Sequence, residues 1–406
     1  AVNGRILCFG RVVREFGAPL DWHLDPHTGR RWPRVHWSRT FFEGKGLGDI
    51  KLAWEPGRFP QAYDMARTGA VHPEAAPALA EALAGQIAHF VAANPRPIGI
   101  HWHSGQEIAV RLMAWLFGLD TLLSRQAPML AAARVVGDAL AEAAEHVEQY
   151  IVYARVAVYN NHLTAEALLL MAAGILLPHH PSAVRWRDHG RRLLIHCAQR
   201  QIDADGSFIN QSHTYHRVAL HYLVWSVLLA RAAGDSVPTA WLAAMERSLP
   251  LLLAHQNPAD GRLPNFGAND GAQPNKWTSC DYTDFRPILQ LVSVLARGER
   301  LYAPGPWDEA VAWCLGPLAL DAPLHEPSRT SVSFPVAGYH VLRGRDSGTF
   351  VTLRCGDVRE RFGQIDMLHL DAWWQGHNVL VDGGSYLYGG EPGWHGHFLG
   401  TASHNT

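Results

Sequence analysis

Apolar residues recur at helical spacing through the middle of the chain. Between positions 73 and 151 they form three stripes, of which Leu79, Leu83 and Ile87 are typical, and this is the spacing of one buried helix face. The same pattern predicts further helices over residues 163–177, 183–201, 215–233, 238–255 and 284–297. Short breakers such as LPHHPS separate the helices, and no sharply defined repeat is visible. Stacked helical hairpins that close wholly or partly into an α/α toroid are therefore favoured.

The pattern changes to a period of two after about position 327. SVSFPVAGYHVLRG, GTFVTLRCG and HNVLVDGGSYLY are β-branched and aromatic stretches between Gly or Asp turns, which predicts antiparallel strands of a β-sandwich. The first sixty residues have no helical period and are rich in Trp, Pro, Gly and Arg. We therefore predict an irregular arm over 1–60, a toroid (an incomplete helical barrel) over 61–325, and the start of a β-sandwich over 326–406 that continues beyond this sequence.

Composition narrows the function classes. The 406 residues carry a net charge of -2 without a run of Lys or Arg, so the footprint of a nucleic-acid or anionic-membrane protein is absent. No apolar run is long enough to span a bilayer, and the five scattered Cys form no CxxC pair. Fifteen Trp favour carbohydrate stacking, with Trp102 as a predicted sugar contact, although any single Trp can equally fill a core. No signal peptide is visible; we expect a processed periplasmic or secreted protein, with a cytoplasmic one left open.

Polar residues cluster where three of the predicted helices begin or are joined. In YNNHLTAEALLL, Asn161 and His162 enter a helix, and Glu166 shares a face with His162 four residues earlier. An Asn at a helix start is also the usual N-cap. In DGRLPNFGANDGA, Asn269 and Asp270 are candidate ligands or simply turn formers.

The stretch DADGSFINQSHTYHR is the richest in proton-carrying side chains. It supplies Gln211, His213, Tyr215, His216 and Arg217 at the start of a helix. Such a group is poor core material, although a buried polar network is the structural alternative. Because the three polar loops join consecutive helix pairs, a toroid would bring them to one face.

In their order and spacing, these blocks resemble those of the heparinase II/III-like proteins. The resemblance rests on NNHLTAEA, DGSF with QSHTYHR, DGRLPNFGANDG, and DMLHLDAWWQGHNVLVDGGSYLY ending in TASHNT, and it covers nearly the whole chain. It implies an α/α toroid followed by an antiparallel β-sandwich. It also implies cleavage of a uronic-acid polysaccharide by β-elimination, without a required cofactor.

The resemblance assigns roles to particular residues. Asn161 and His162 match the pair that neutralises the uronate carboxylate, and Tyr215 matches the general acid and is also a candidate for the base. From chemistry alone, His216 and Arg217 are suited to holding an anionic sugar. The remaining predicted substrate contacts are Trp102, Glu166, Gln211, His213, Asn269 and Asp270.

The sequence departs from its relatives where many carry H-x-H-x-D. In those relatives the first His assists catalysis, and the second joins a later Asp and the His of HNT at a metal. If Asp366 is the Asp of that stretch, Phe362 and Gln364 occupy the two His positions, and the matching metal ligands are Gln364, Asp382 and His404. Gln is a poor zinc ligand, so we expect at most a weak structural divalent metal. His369 is the alternative ligand if this alignment is wrong. Together with His395 and His397, it is also a candidate to replace the first His, the proton shuttle of the relatives, whose position Phe362 occupies.

Two other functions compete with the lyase. One is a glycan-binding or polysaccharide-handling protein on the same scaffold. The other is a toroid glycoside hydrolase with paired carboxylates such as Asp205 and Asp270. The polymer is open among heparan-type chains, alginate, hyaluronan-like chains and bacterial capsules.

Overall fold

The computed structural model describes residues 3–123, 130–356, 363–387, 389 and 391–406. The chain forms two compact units, one of Ala1–Arg192 with Pro274–Lys276 and the other of Leu193–Gln273 with Trp277–Thr406. The division between them falls inside a helix, whereas the sequence suggested boundaries near residues 60 and 325, which stay predictions. Among the described residues, no helix has both the length and the apolar composition needed to cross a membrane.

The described residues of the first unit are mainly helical and include a short antiparallel hairpin near its start. Its elements are β1 Arg5–Cys8, β2 Val12–Glu15, α1 Thr40–Glu43, α2 Ile50–Gly57, α3 Pro60–Val71, α4 Ala76–Ala93, α5 Gly105–Leu123, α6 Leu130–Tyr153, a π-helical turn Ala154–Val158, α7 Asn161–Leu176 and the first half of α8 Ala183–Arg200. The predicted helical stripes are confirmed. The N-terminal arm is more ordered than predicted, because it contains β1, β2, α1 and α2.

Tryptophan in the N-terminal arm is core material. The Trp22 ring stacks on Phe59 at 5.3 Å and meets the edge of Phe90 at 5.0 Å, and Phe59 in turn meets Trp115 on α5 at 5.1 Å. All four side chains are buried. Trp22 therefore fills the core, which was the alternative to stacking on a sugar.

Glycine lets α7 and α8 approach each other closely. A Cβ at Gly190 would collide with the backbone of Ala167 and Met171 on α7, and one at Gly174 would collide with the backbone at Ala183 and Arg187 on α8. Such an approach is open only to residues without a side chain. The two helices thereby pack directly against each other along these positions.

The second unit combines helices with one antiparallel sheet. Its elements are the rest of α8, α9 His213–Ala232, α10 Thr239–His255, α11 Arg286–Arg297, α12 Glu309–Leu315, β3 Val332–Phe334, β4 Tyr339–Arg343, β5 Phe350–Arg354, β6 Leu370–Trp374, β7 His377–Leu380 and α13 Pro392–Leu399. The strands pair in chain order from β3 to β7. Side chains of β5 alternate between buried and half-buried, as expected for a sheet with one face toward a core.

Candidate active site

Two neighbouring asparagines at the start of α7 have different roles. Asn160 is the N-cap, and its side-chain oxygen accepts a hydrogen bond from the backbone N–H of His162 at 2.9 Å. Asn161 begins the helix, is 1% exposed, and donates from Nδ2 to Oε1 of Gln106 on α5. Its own Oδ1 is buried without a hydrogen-bond partner among the described residues. The capping alternative thus applies to Asn160, which leaves the Asn161 carboxamide oriented by Gln106 and not used as a cap.

Glu166 lies on α7 about one turn beyond these residues. Its carboxyl packs against the backbone of Gly105, where an added Cβ would lie 2.5 Å from Oε1. The residue is 7% exposed, and its carboxyl makes no hydrogen bond or ion pair with any residue that the structure describes. Burial raises the pKa of Glu166 from 4.5 to about 8, because a charged carboxylate is poorly solvated there. Glu166 is therefore a neutral carboxylic acid, and a potential hydrogen-bond donor, near pH 7.

The other predicted residues of the first unit differ in accessibility. His162 is half-buried at the second position of α7. Trp102 is 7% exposed, and its indole N–H donates to the backbone oxygen of Asn94 at 2.9 Å. Its ring meets the imidazole of His146 at 5.2 Å. This packing favours a structural role for Trp102, and its predicted sugar contact stays a prediction.

Two of the three polar loops meet in the second unit. Ser212 is the N-cap of α9: its Oγ accepts from the backbone N–H of Tyr215 at 3.2 Å and donates to the backbone oxygen of Ala268 at 2.6 Å. The hydroxyl therefore joins the start of α9 to the loop that contains Asn269. Tyr215 lies in the first turn of α9 and is half-buried, in contrast to its buried neighbours.

Three predicted ligands on α9 are enclosed. Arg217 is 2% exposed; it donates to the backbone oxygen of Tyr282 and stacks over the rings of Tyr282 at 4.3 Å and Phe285 at 4.6 Å. His216 and His213 are also buried, and burial lowers the pKa of His216 to about 3 and that of His213 to about 4. Both imidazoles are therefore neutral at pH 7. This environment favours the buried polar network over direct contact with an anionic sugar.

A buried ion pair ties the loop before α9 to the sheet. Arg354 at the end of β5 pairs with Asp366, and its guanidinium also donates to Oε1 of Gln211. Arg354 and Asp366 are both almost completely buried. The Tyr339 hydroxyl donates to the backbone oxygen of the same Gln211 at 3.2 Å. Gln211, a predicted substrate contact, thus links α9 to two strands.

The third polar loop is held by its own side chains. Asn269 accepts from the Tyr282 hydroxyl at 2.8 Å and donates to the Asn265 side chain at 2.7 Å. Asp270 accepts from the backbone N–H of Ala272 at 3.1 Å, as in a turn. Asp205, its suggested carboxylate partner in a hydrolase, accepts from the Ser207 hydroxyl and from the backbone N–H of Ala337, both within 3 Å. These hydrogen bonds give Asp270 and Asp205 structural roles that require no catalytic function.

A compact set of metal-binding side chains lies beside the sheet. His369, Asp382 and His404 are buried, and each offers a ligand atom within 4.8 Å of the others. Asp382 Oδ2 lies 3.6 Å from Nε2 of His369 and 3.1 Å from Nδ1 of His404. Nε2 of each histidine is buried without a hydrogen-bond partner in the described chain. Burial lowers the pKa of His369, opposed by the Asp382 carboxylate. Two imidazoles and a carboxylate form a donor set that suits a divalent transition metal.

The structure brings two of the three predicted metal ligands together. Asp382 and His404 are in this set, and its third member is His369, the alternative that the sequence left open. Gln364 instead donates from Nε2 to the backbone oxygen of Gly384 at 2.6 Å, and its role as a ligand stays a prediction. Phe362 lies outside the described residues.

Sequence reasoning missed Gln106 and Arg354. Gln106 stands at the start of α5, fifty-five positions before Asn161, and no local pattern links two residues that far apart. Arg354 carries a weak signal, because an Arg at the end of an otherwise apolar strand (FVTLR) requires a buried acceptor or solvent. The position of Asp366 in the folded protein gives Arg354 a buried acceptor, and the sequence alone does not reveal this.

Comparisons with known proteins agree with the blocks found in the sequence. Residues 127–288 match the family profile described as "Heparinase II/III N-terminus", and residues 326–406 match "Heparinase II/III-like, C-terminal". The chain is 24% identical over 262 residues to a protein named heparin-sulfate lyase from Bacteroides stercoris, across 61% of this chain and 35% of that protein. It thus spans about a third of the length of this curated relative.

Solved structures show the same fold. A crystal structure of heparinase III superposes with a TM-score of 0.67 at 18% identity, covering 89% of this chain and 55% of that one. The heparan sulfate lyase HepC from Pedobacter heparinus gives a TM-score of 0.56 at 18% identity, covering all of this chain and 58% of that one. Heparinase III structures have a toroid followed by a β-sandwich, so the predicted fold class is confirmed. With both halves of the family signature present in order on this fold, the chain belongs to the heparinase II/III-like family.

Proposed function

We propose that this protein is a polysaccharide lyase that cleaves a uronic-acid polymer by β-elimination. The observation that carries the proposal is the start of α7, where the buried Asn161 carboxamide is oriented by Gln106 and lies close in the chain to the unpaired carboxyl of Glu166. Uncharged donors of this kind suit the recognition of a carboxylate whose charge must be neutralised. The names of the curated relative and of the solved structures, heparin-sulfate lyase and heparinase III, support the same class of reaction.

The proposed reaction removes the proton at C5 of a uronate. That proton becomes acidic only when the neighbouring carboxylate is neutralised, which is the role we assign to Asn161 and His162 as donors that stabilise the developing enolate. A Tyr or His accepts the C5 proton, a double bond forms between C4 and C5, and the C4–O4 bond breaks. Tyr215 donates a proton to the departing O4. One proton leaves carbon and one reaches oxygen, so the products are an unsaturated uronate and a new chain end.

Glu166 adds a third donor in this proposal. As a neutral acid it can share its proton with the substrate carboxylate, whereas an ionised Glu166 would repel that group. Glu166 must therefore be protonated if it is to contact the substrate carboxylate as predicted.

The proposed metal site has a separate role. His369, Asp382 and His404 would hold a divalent cation, and the His₂Asp donor set favours zinc over calcium. A bound metal would cross-link the start of β6, the segment after β7 and the segment after α13. Tyr215 and Asn161 carry the chemistry without it. A periplasmic or secreted location stays a prediction.

The reaction class can be tested with a panel of heparan sulfate, heparin, alginate and hyaluronan. We expect at least one polymer to yield products that absorb ultraviolet light, because the C4–C5 double bond of the unsaturated uronate is conjugated with its carboxylate. Tyr215→Phe should slow turnover by about 10²- to 10⁴-fold with an unchanged melting temperature. Reducing ends without ultraviolet absorbance would indicate a hydrolase, and binding without any product would indicate a glycan-binding protein. Normal turnover by the Phe variant would remove Tyr215 from the mechanism.

Asn160 and Asn161 provide a matched pair of variants. Asn161→Ala should lower kcat by about 10²-fold or more, because a donor that acts on the developing enolate is lost. Asn160→Ala removes the α7 cap and should mainly cost about 0.5–2 kcal/mol of unfolding free energy. Thermal melting and steady-state kinetics on both proteins separate the two effects. Equal kinetic losses would mean that both residues only support the helix.

Glu166→Gln tests the neutral acid. Since the folded-state pKa of Glu166 is about 8 and the ordinary value is 4.5, the stabilising effect of the neutral form is complete below pH 4.5 and is lost as the pH rises through about 8. We expect kcat/KM of the native protein to fall above pH 8 and the Gln variant, neutral at every pH, to lose less. The Gln variant should also be less sensitive to pH in thermal melts between pH 5 and 9. A parallel pH dependence in both proteins would contradict the assignment.

Metal content should depend on the histidine and not on the glutamine. We expect elemental analysis to find about one divalent metal per chain in the native protein and in Gln364→Ala, and much less in His369→Ala. Chelation should lower the melting temperature by several degrees while leaving initial rates within about twofold, since the cross-link stabilises the fold. Loss of the metal from Gln364→Ala alone would support the ligand set predicted from the sequence.

A further inference from the structure

One face of α8 carries a stripe of basic residues in the first unit. Arg185, His189 and Arg192 follow at intervals of four and three, so they share a face. The first of them is neutralised: Arg185 forms a two-pronged ion pair with Glu148 on α6, at 2.7 and 2.8 Å. The Arg192 side chain is exposed and makes no hydrogen bond or ion pair with any described residue. The stripe therefore gains free positive charge toward its C-terminal end.

A further arginine lies in the segment between α6 and α7. Arg155 lies in the π-helical turn and is exposed, and it too is unpaired within the part of the chain that the structure describes. Burial is the main cause that lowers the pKa of His189; the charge of Arg192 lowers it further, Glu148 opposes this, and Arg155 has a smaller lowering effect. Gly190, the neighbour of His189, packs against the backbone of Ala167 on α7, and Arg155 lies six residues before the start of α7. Arg155, His189 and Arg192, which we name the basic patch, come from two neighbouring segments.

Exposed apolar side chains border the basic patch. Val152, Tyr153 and Val156 are 64%, 69% and 75% exposed. These are large exposed fractions for three apolar side chains within five positions of the chain. Tyr159, which ends the turn, has a positive φ of 25°, a conformation that costs energy for a residue with a side chain. π-helical turns and strained residues of this kind are concentrated at functional sites. Asn160 and Asn161 follow directly.

Acidic groups do not cancel the patch. Arg185–Arg192 contains four arginines and one carboxylate, Asp188, which is exposed and makes no ion pair among the described residues. Glu148 is occupied by Arg185 and by the indole N–H of Trp186 at 2.9 Å. The surface is thus locally positive on a chain whose net charge is -2.

We propose that the basic patch, with Tyr153 beside it, is an accessory subsite that binds a stretch of the anionic polysaccharide outside the sugars that react at Asn161. This inference rests on the proposed function for the identity of the polymer. Guanidinium groups recognise carboxylate and sulfate through paired N–H donors. An exposed tyrosine ring offers a flat apolar surface to a sugar ring. The position of the patch, immediately before the residues that act on the uronate, suits a long chain that contacts both.

The experiment compares two double variants with equal loss of charge. The test protein is Arg155→Gln with Arg192→Gln; the control is Arg11→Gln with Arg231→Gln, two exposed arginines that are also unpaired in the described structure. All four substitutions are at the surface, and thermal melting checks that both proteins are folded. Binding is measured by calorimetry and by salt elution from immobilised heparin and immobilised alginate, with the full chain. Kinetics are measured on the long polymer and on size-defined tetrasaccharides.

We expect the test protein to bind the polymer preferred by the native protein about tenfold more weakly and to elute at lower salt. Two exposed charge pairs within their usual range of strength would give a loss of this size. KM should rise by a similar factor on the long polymer, with kcat and tetrasaccharide kinetics unchanged. The control should resemble the native protein.

The remaining outcomes separate the two proposals. Equal weakening in both double variants would show an effect of net charge alone and would overturn the basic patch as a subsite. A native protein that binds neither polymer would overturn it as well. Binding that depends on Arg155 and Arg192 without unsaturated product would support the subsite and refute the lyase. Unsaturated product with unchanged KM in the test protein would support the lyase and refute the subsite.

Discussion

A guanidinium and a carboxylate buried away from water must be paired, and the second unit is organised around one such pair. Arg354 binds Asp366 and the Gln211 side chain, so the end of β5, the segment before β6 and the loop before α9 cannot move independently. Leaving one charge without its partner typically costs about 3–5 kcal/mol. The positions of Tyr215, four residues after Gln211, and of His369, three residues after Asp366, both depend on this contact.

Burial also determines what the candidate residues can do. Arg217 and His216 are enclosed and serve the packing of α9, whereas Tyr215 between Ser212 and these residues remains half-buried. In the first unit, the same effect makes Glu166 a neutral acid. A site that must neutralise a carboxylate benefits from donors that carry no negative charge of their own, and low solvation supplies one from a residue that is ordinarily an anion.

Charge is distributed unevenly over the chain. A net charge of -2 and the lack of a Lys or Arg run exclude a broad basic footprint, yet α8 and the π-helical turn place three cationic or titratable groups side by side. A polyanion is attracted by local potential and not by the total. The family membership of the chain and the basic patch are therefore compatible with a nearly neutral protein.

The sequence by itself determined the helical and strand periods, the order of the two kinds of structure, and the blocks that mark the family, because these depend on residues close together in the chain. It also placed the starts of α7 and α9 within two residues of where they lie, because the polar blocks that precede these helices are local features of the chain. Only the tertiary structure decided that Gln106 orients Asn161, that Arg217 is enclosed, and that His369 joins Asp382 and His404. These outcomes depend on contacts between distant segments and on the exclusion of solvent. Neither can be inferred from the spacing of residues that are close together in the chain.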